Sequence, residues 1–129
     1  MAKNTTAKGD FGEAIAAMYL RDNGYKILEA KFKVPGGELD LVCRETSTGV
    51  LVFAEVKTMT GASDSFRAEH LYGFAKQKKT HRSAQWYSGK YPERVGEAGW
   101  RCDLVAITVL NPILTDYKKD CIINHYQNV

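Results

Sequence analysis

The sequence predicts an α/β fold in which a mixed central sheet is flanked by helices, in the order helix, three strands, helix, strand, with a short strand to finish. Three observations carry this: an alanine-rich stretch with helical spacing, two apolar strand-length runs joined by the polar link "TSTG", and a long proline-free segment before one more apolar run. At 129 residues the chain is expected to fold as a single domain, residues 1–129.

In residues 11–23, Phe11, Ala14, Ile15 and Met18 recur at helical spacing, and Gly24 follows where a C-terminal cap glycine belongs, so the spacing predicts a helix. Residues 25–32, "YKILEAKF", read as a strand of imperfect alternation broken by "VPGG". Residues 38–45 and 50–57 read as a hairpin closed by "TSTG". "TGASDS" reads as a loop, and residues 67–88 as a long helix whose apolar stripe is thin. Residues 100–110 form a strongly apolar strand stopped by Asn111 and Pro112, and residues 120–127 a short last strand.

Composition narrows the function classes. The N-terminus lacks the apolar centre of a signal peptide and no apolar run approaches the ~18 residues of a membrane span, so the chain is expected in the cytoplasm and off the membrane. Cys43, Cys102 and Cys121 are odd in number and widely spaced, which points to reduced core thiols rather than a disulfide or metal framework. The net charge of +3 is unevenly placed: residues 76–101 hold seven Lys and Arg against two acids, residues 34–75 three against six.

The excess acid sits on the hairpin. With the turn centred on Ser47 and Thr48, Val42 faces Phe53, Asp40 faces Glu55 and Glu38 faces Lys57, and the period of two puts all four charged side chains on one face. Like charges directly opposite destabilise a sheet unless offset, and carboxylates converging from rigid strands suit a hard ion such as Mg²⁺ or Mn²⁺. Taken singly, each is the ordinary solvated charge of a strand end, and Glu38 with Lys57 a surface pair worth at most ~1 kcal/mol. The joint pattern favours a site: both strands are apolar enough to be central, yet both carry acids on the same face.

"GELDLV" from Gly37 and "VFAEVK" from Val52, with "GE" at Gly12 and Glu13, resemble the YraN-like family of small bacterial proteins. That family is assigned to the PD-(D/E)XK nuclease-like superfamily, with restriction endonucleases and Holliday junction resolvases. The resemblance runs on through "YLRDNGYKIL", "RCDLVAI" and "INH", and so over nearly the whole chain. It implies a restriction endonuclease-like core. Asp40 then matches the first acid, Glu55 the second, Lys57 the lysine and Glu13 the helix-borne acid, with Glu38 a further candidate. Asp40, Glu55 and the Val56 carbonyl are implied to hold one or two Mg²⁺ or Mn²⁺ ions, and Glu13 to act on them through solvent. For Glu13 a solvated acid near the helix dipole is an equal alternative. Lys57, beside two acids, is expected to favour its charged form and to orient water. Two positions depart from the pattern: Lys31 stands where Asn is expected, and Met59 where a basic residue is; the superfamily's proline is absent.

The long helix adds Lys76, Lys78, Lys79 and Arg82, two adjacent basic stripes suited to a phosphate backbone, although a solvated face is the commoner reading of such a run. Trp86 and Tyr87 read as packing aromatics; His70, His81 and His125 lack ligand spacing; Asp103 reads as a satisfied structural acid. The expectation is a metal-dependent endonuclease acting on DNA, on branched or otherwise structured substrates, with a homodimer implied by resolvase-like cutting. A nucleic-acid-binding module with little cleavage and a non-enzymatic interaction protein stand beside it.

Overall fold

The computed structural model describes residues 7–60, 73–111, 113 and 116–129. The first helix, α1, spans Ala7–Asp22, four residues longer at its start than the spacing predicts, and Gly24 beyond its end adopts φ +88°. Then come β1 (Tyr25–Val34), β2 (Gly37–Glu45), β3 (Leu51–Thr60), α2 (Phe74–Lys90), α3 (Pro92–Val95), β4 (Trp100–Val109), α4 (Tyr117–Asp120) and β5 (Cys121–Tyr126). The loop "TGASDS" beyond Thr60, residues 67–72 of the expected long helix, His70 and Pro112 lie outside the described residues. Gly73, inside the expected helix, is extended backbone at which α2 starts, and α2 ends two residues later than expected, at Lys90.

Among the described residues the strands form one sheet in the order β1-β2-β3-β4-β5. Neighbours are antiparallel except β3 and β4, which run parallel over ten residue pairs, from Leu51–Trp100 to Thr60–Val109. A parallel pair needs a crossover, and the connection carrying α2 supplies it. The predicted order of elements is therefore found, as a mixed sheet with helices on both faces. The uneven alternation of β1 has a physical source in a register shift between Ile27 and Glu29.

Alternation sorts the core into two layers. Toward α1 point Leu41, Cys43, Val52, Ala54, Val105 and Ile107, packing with Ile15, Ala16 and Leu20. Toward α2 point Val42, Leu51, Phe53 and Cys102, packing with Ala84 and Tyr87. The thin apolar stripe of α2 is thereby explained: among its described side chains those that cover apolar core, Ala84 and Tyr87, lie in the C-terminal half, while Thr80 and Ser83 line a polar pocket. All three cysteines are buried and unpaired. No helix among the described residues is long and apolar enough to cross a membrane.

α1 crosses β3 so closely that a Cβ on Gly12 would lie 1.8 Å from Thr58 Oγ1 and 3.0 Å from Thr58 Cβ. Propensity alone favours Gly→Ala inside a helix by ~1 kcal/mol. Gly12→Ala is instead expected to destabilise by about 1–3 kcal/mol in urea unfolding, because the helix must lift from the sheet. Adding Thr58→Ala should recover part of the loss. Stabilisation by Gly12→Ala would show that α1 does not pack this tightly.

Candidate active site

Leu41–Ala54, Val42–Phe53, Cys43–Val52 and Arg44–Leu51 pair across the hairpin, in the register expected from the turn. The ladder ends at Leu41–Ala54, because beyond it β3 stays with β4 while β2 turns away. Asp40 and Glu55 are thus not ladder partners, although they still meet. Asp40 Oδ2 accepts the Val56 N–H at 2.9 Å, a donor that a continued ladder would offer to β2's backbone, and the Asp40 carboxyl lies within the field of the Glu55 charge in the same pocket. Glu38 does not face Lys57: it pairs with Lys33 across β1–β2, their charges 3.2 Å apart at the surface.

At this splay in the sheet lies a pocket of about 170 Å³, floored by Glu38, Asp40 and Glu55 and walled by Lys76, Lys79, Thr80 and Ser83 of α2. Gly37 lets the helix come close, a Cβ there falling 3.2 Å from Ser83 Oγ. The electrostatics follow from crowding acids out of water. Burial first, then the Glu55 charge, pushes the Asp40 carboxyl up to about 7 despite the Val56 N–H. Lys76 Nζ stands 3.6 Å from Glu55 Oε2 and partly offsets the pair.

Lys57 reverses the sequence expectation. Its ammonium is disfavoured, first by burial and then by its contact with Lys76 and their mutual repulsion, and the attraction of Glu55 and Asp40 does not make this up. Val56 is tied to Asp40 through its N–H. Glu13, on α1, is raised by burial, with Asp40 and Glu38 adding to the push, yet its carboxylate is held by Lys31 at 2.6 Å. Lys31 also holds Asp10 at 2.7 Å and has φ +52°, a left-handed conformation that suits Asn far better than Lys. The departure from the expected Asn therefore adds backbone strain and a clamp on Glu13. Met59 is half-buried in β3 and supplies no charge.

The four predicted basic residues divide. Lys76 and Lys79 face the acids, Lys78 lies by a groove with Gln77, His81 and Val129, and Arg82 is exposed. Thr80 and Ser83 were missed as pocket residues, though their spacing of four and seven from Lys76 already put them on its face. Among the described residues no three His, Cys, Asp or Glu side chains converge as a metal-holding group. Asp40 and Glu55 are the pair that could hold one, since Glu38 is drawn to Lys33 and Glu13 to Lys31.

Asp103, His81 and Tyr87 are structural. Asp103, fully buried, takes Arg101 Nε at 2.9 Å, His125 Nε2 at 2.8 Å and the Asn128 N–H at 3.0 Å. His81 meets the Val129 carbonyl oxygen at 2.7 Å. Tyr87 is core, packed edge-on against Phe32 and Phe53, whereas Trp86 is 38% exposed.

The family described as "Uncharacterised protein family UPF0102" matches residues 12–107. A UPF0102 protein of Syntrophotalea carbinolica is 42% identical over 99 residues, covering 77% of this chain and 76% of its own. One from Clostridium botulinum is 34% identical over 119 residues, covering 92% and 93%, and one from Roseiflexus castenholzii 35% identical over 109 residues, covering 84% and 85%. With most of both chains aligned in each case, and the Asp40, Glu55 and Lys57 motifs inside the matched span, the chain belongs to the UPF0102, or YraN-like, family.

Proposed function

We propose that the protein is a metal-dependent endonuclease acting on DNA phosphodiester bonds, with branched or otherwise structured DNA as its substrate class. The observation that carries this reading is the half-buried Asp40–Glu55 pair at the mouth of a splayed hairpin, where desolvation and the Glu55 charge push the Asp40 carboxyl up to about 7. A divalent cation satisfies such a pair better than a proton does, and Mg²⁺ commonly takes one or two carboxylates while keeping its other positions for water and phosphate. When bound there, it would acidify water and offset charge on the phosphate. Asp40 and Glu55 hold the ion, and the Val56 N–H fixes the Asp40 carboxyl in its orientation. Lys57, its ammonium partly desolvated beside Lys76 and the two acids, orients water and offsets charge at the phosphate, while Lys76 and Lys79 bring further positive charge to it. Glu13 joins only when Lys31 releases it. Cutting both strands of a junction takes two sites, so the reading carries a homodimer.

The Lys76–Glu55 pair supports a second reading, a nucleic-acid-binding module in which the lysine replaces the cation and cleavage is lost. Plasmid, single-stranded and four-way junction DNA incubated with Mg²⁺, Mn²⁺ or EDTA separate the two. Cleavage that needs the metal and falls to background in Asp40→Asn and Glu55→Gln supports the endonuclease. Cleavage unchanged in those variants, or none on any substrate, sinks it; salt-dependent binding without cleavage leaves the module.

A further inference from the structure

Four residues of α2 recur at intervals of four along its outer side: Lys78, Arg82, Trp86 and Lys90. All four are exposed, and Trp86 keeps 38% of its surface in solvent although its neighbour Tyr87 is wholly buried. Gly89, three residues on, has open space where a side chain would stand. Helical side chains lean toward the N-terminus, so a larger residue at 89 would cover the turn that carries the indole. The glycine leaves that side bare.

An exposed indole in a row of cations has the two features that bind single-stranded nucleic acid: charge that follows the backbone and a ring on which an unpaired base stacks. We infer that Trp86, flanked by Lys78, Arg82 and Lys90, is a stacking platform for an unpaired base of DNA whose backbone runs along α2 into the Asp40–Glu55 pocket. This rests on the endonuclease reading and names its substrate class, DNA with an unpaired stretch beside the scissile phosphate. Duplex bases are already stacked on one another and offer the indole no free face. The spacing is workable: Lys79 lines the pocket, and the seven residues from it to Trp86 rise ~10 Å, roughly three nucleotides at ~3.4 Å each.

Binding in EDTA, where metal-dependent cleavage is silent, tests the inference. Fluorescence anisotropy is measured with a labelled 15-nucleotide oligothymidine and with a duplex of equal length, for wild type, Trp86→Ala and Trp86→Phe. Affinity for oligothymidine should fall about 10-fold in Trp86→Ala and return to within about 3-fold of wild type in Trp86→Phe, with duplex affinity changed less than about 2-fold. An equal fall on both DNAs, no fall on either, or no binding of oligothymidine by wild type overturns the platform. Trp86-dependent binding without metal-dependent cleavage leaves the platform standing and removes the endonuclease. Cleavage with Trp86-independent binding does the reverse.

Discussion

Asp40→Asn is expected to abolish metal-dependent cleavage and, in the same step, to make the metal-free protein more stable at pH 8 than the wild type. Burial and the Glu55 charge raise the Asp40 carboxyl from an ordinary 3.8 to about 7. The folded protein thus holds this proton more tightly than the unfolded chain does. The stability it confers is complete below about pH 4, declines as pH rises, and is lost once pH passes about 7. A shift of this size corresponds to on the order of 4 kcal/mol between the two ends of the window. Asn keeps an oxygen for the Val56 N–H and carries no charge, so its stability curve should be flat where the wild type's falls. Urea unfolding at pH 5 and pH 8 in EDTA reads both curves. A wild type no less stable at pH 8, or an Asn variant that tracks it, would show that the carboxyl pair is not under this strain.

Cation binding should reverse the trend. A ligand present at about 100 times its Kd stabilises by ~2.7 kcal/mol, and the gain should grow with pH as the ion displaces the Asp40 proton. Mn²⁺ should therefore raise the melting temperature of wild type at pH 8 and leave Asp40→Asn and Glu55→Gln unmoved. On the endonuclease reading, the charge pair is held at the expense of fold stability, as is common at catalytic sites.

The placement of the acid pair in the candidate site was legible in the sequence because a hairpin's register follows from its turn. "TSTG" fixed Val42 opposite Phe53, and the period of two then put Asp40 and Glu55 on the α2 face. Where the ladder would end was not legible, since the ten-residue parallel pairing of β3 with β4 decides it, and that is a long-range choice. Nor was the sign at Lys57. Sequence displays its acidic neighbours but not the burial, nor the approach of Lys76 from a helix nineteen residues on. Lys76 itself could be placed on a stripe, but which stripe turns inward depends on how α2 docks over β2. Trp86 and Tyr87 make the same point: adjacent on one helix, about 100° apart in direction, one is core and the other faces solvent. The helices α3 and α4, four residues each, are too short for any periodicity to reveal.

Asp103→Ala should cost about 3–5 kcal/mol without touching the acid pocket. Asp103 lies on the α1 face of β4, fully buried, and its carboxylate answers Arg101 and His125 while capping the Asn128 N–H. Burial pushes its carboxyl up, but the hydrogen bonds from His125, Arg101 and Asn128, with the Arg101 charge, outweigh it and hold the group below the usual carboxylate range. Stability from this group is therefore present above about pH 4 and lost as acid takes pH below it, the opposite of the Asp40 slope. Removing the carboxylate leaves Arg101, itself largely buried, with Glu45 as its remaining acid partner at 3.0 Å, and strips His125 of the acceptor on Nε2. Most of the loss comes from stranding those partners. The double variant Arg101→Met/Asp103→Leu should then recover the part of the loss that comes from the stranded Arg101 charge, while His125 Nε2 and the Asn128 N–H stay without Asp103. A double variant as unstable as the single one would place the cost in packing around β4 rather than in unpaired charge. Both variants should keep the Mn²⁺ response of wild type, because the network packs against α1 and the acid pair against α2.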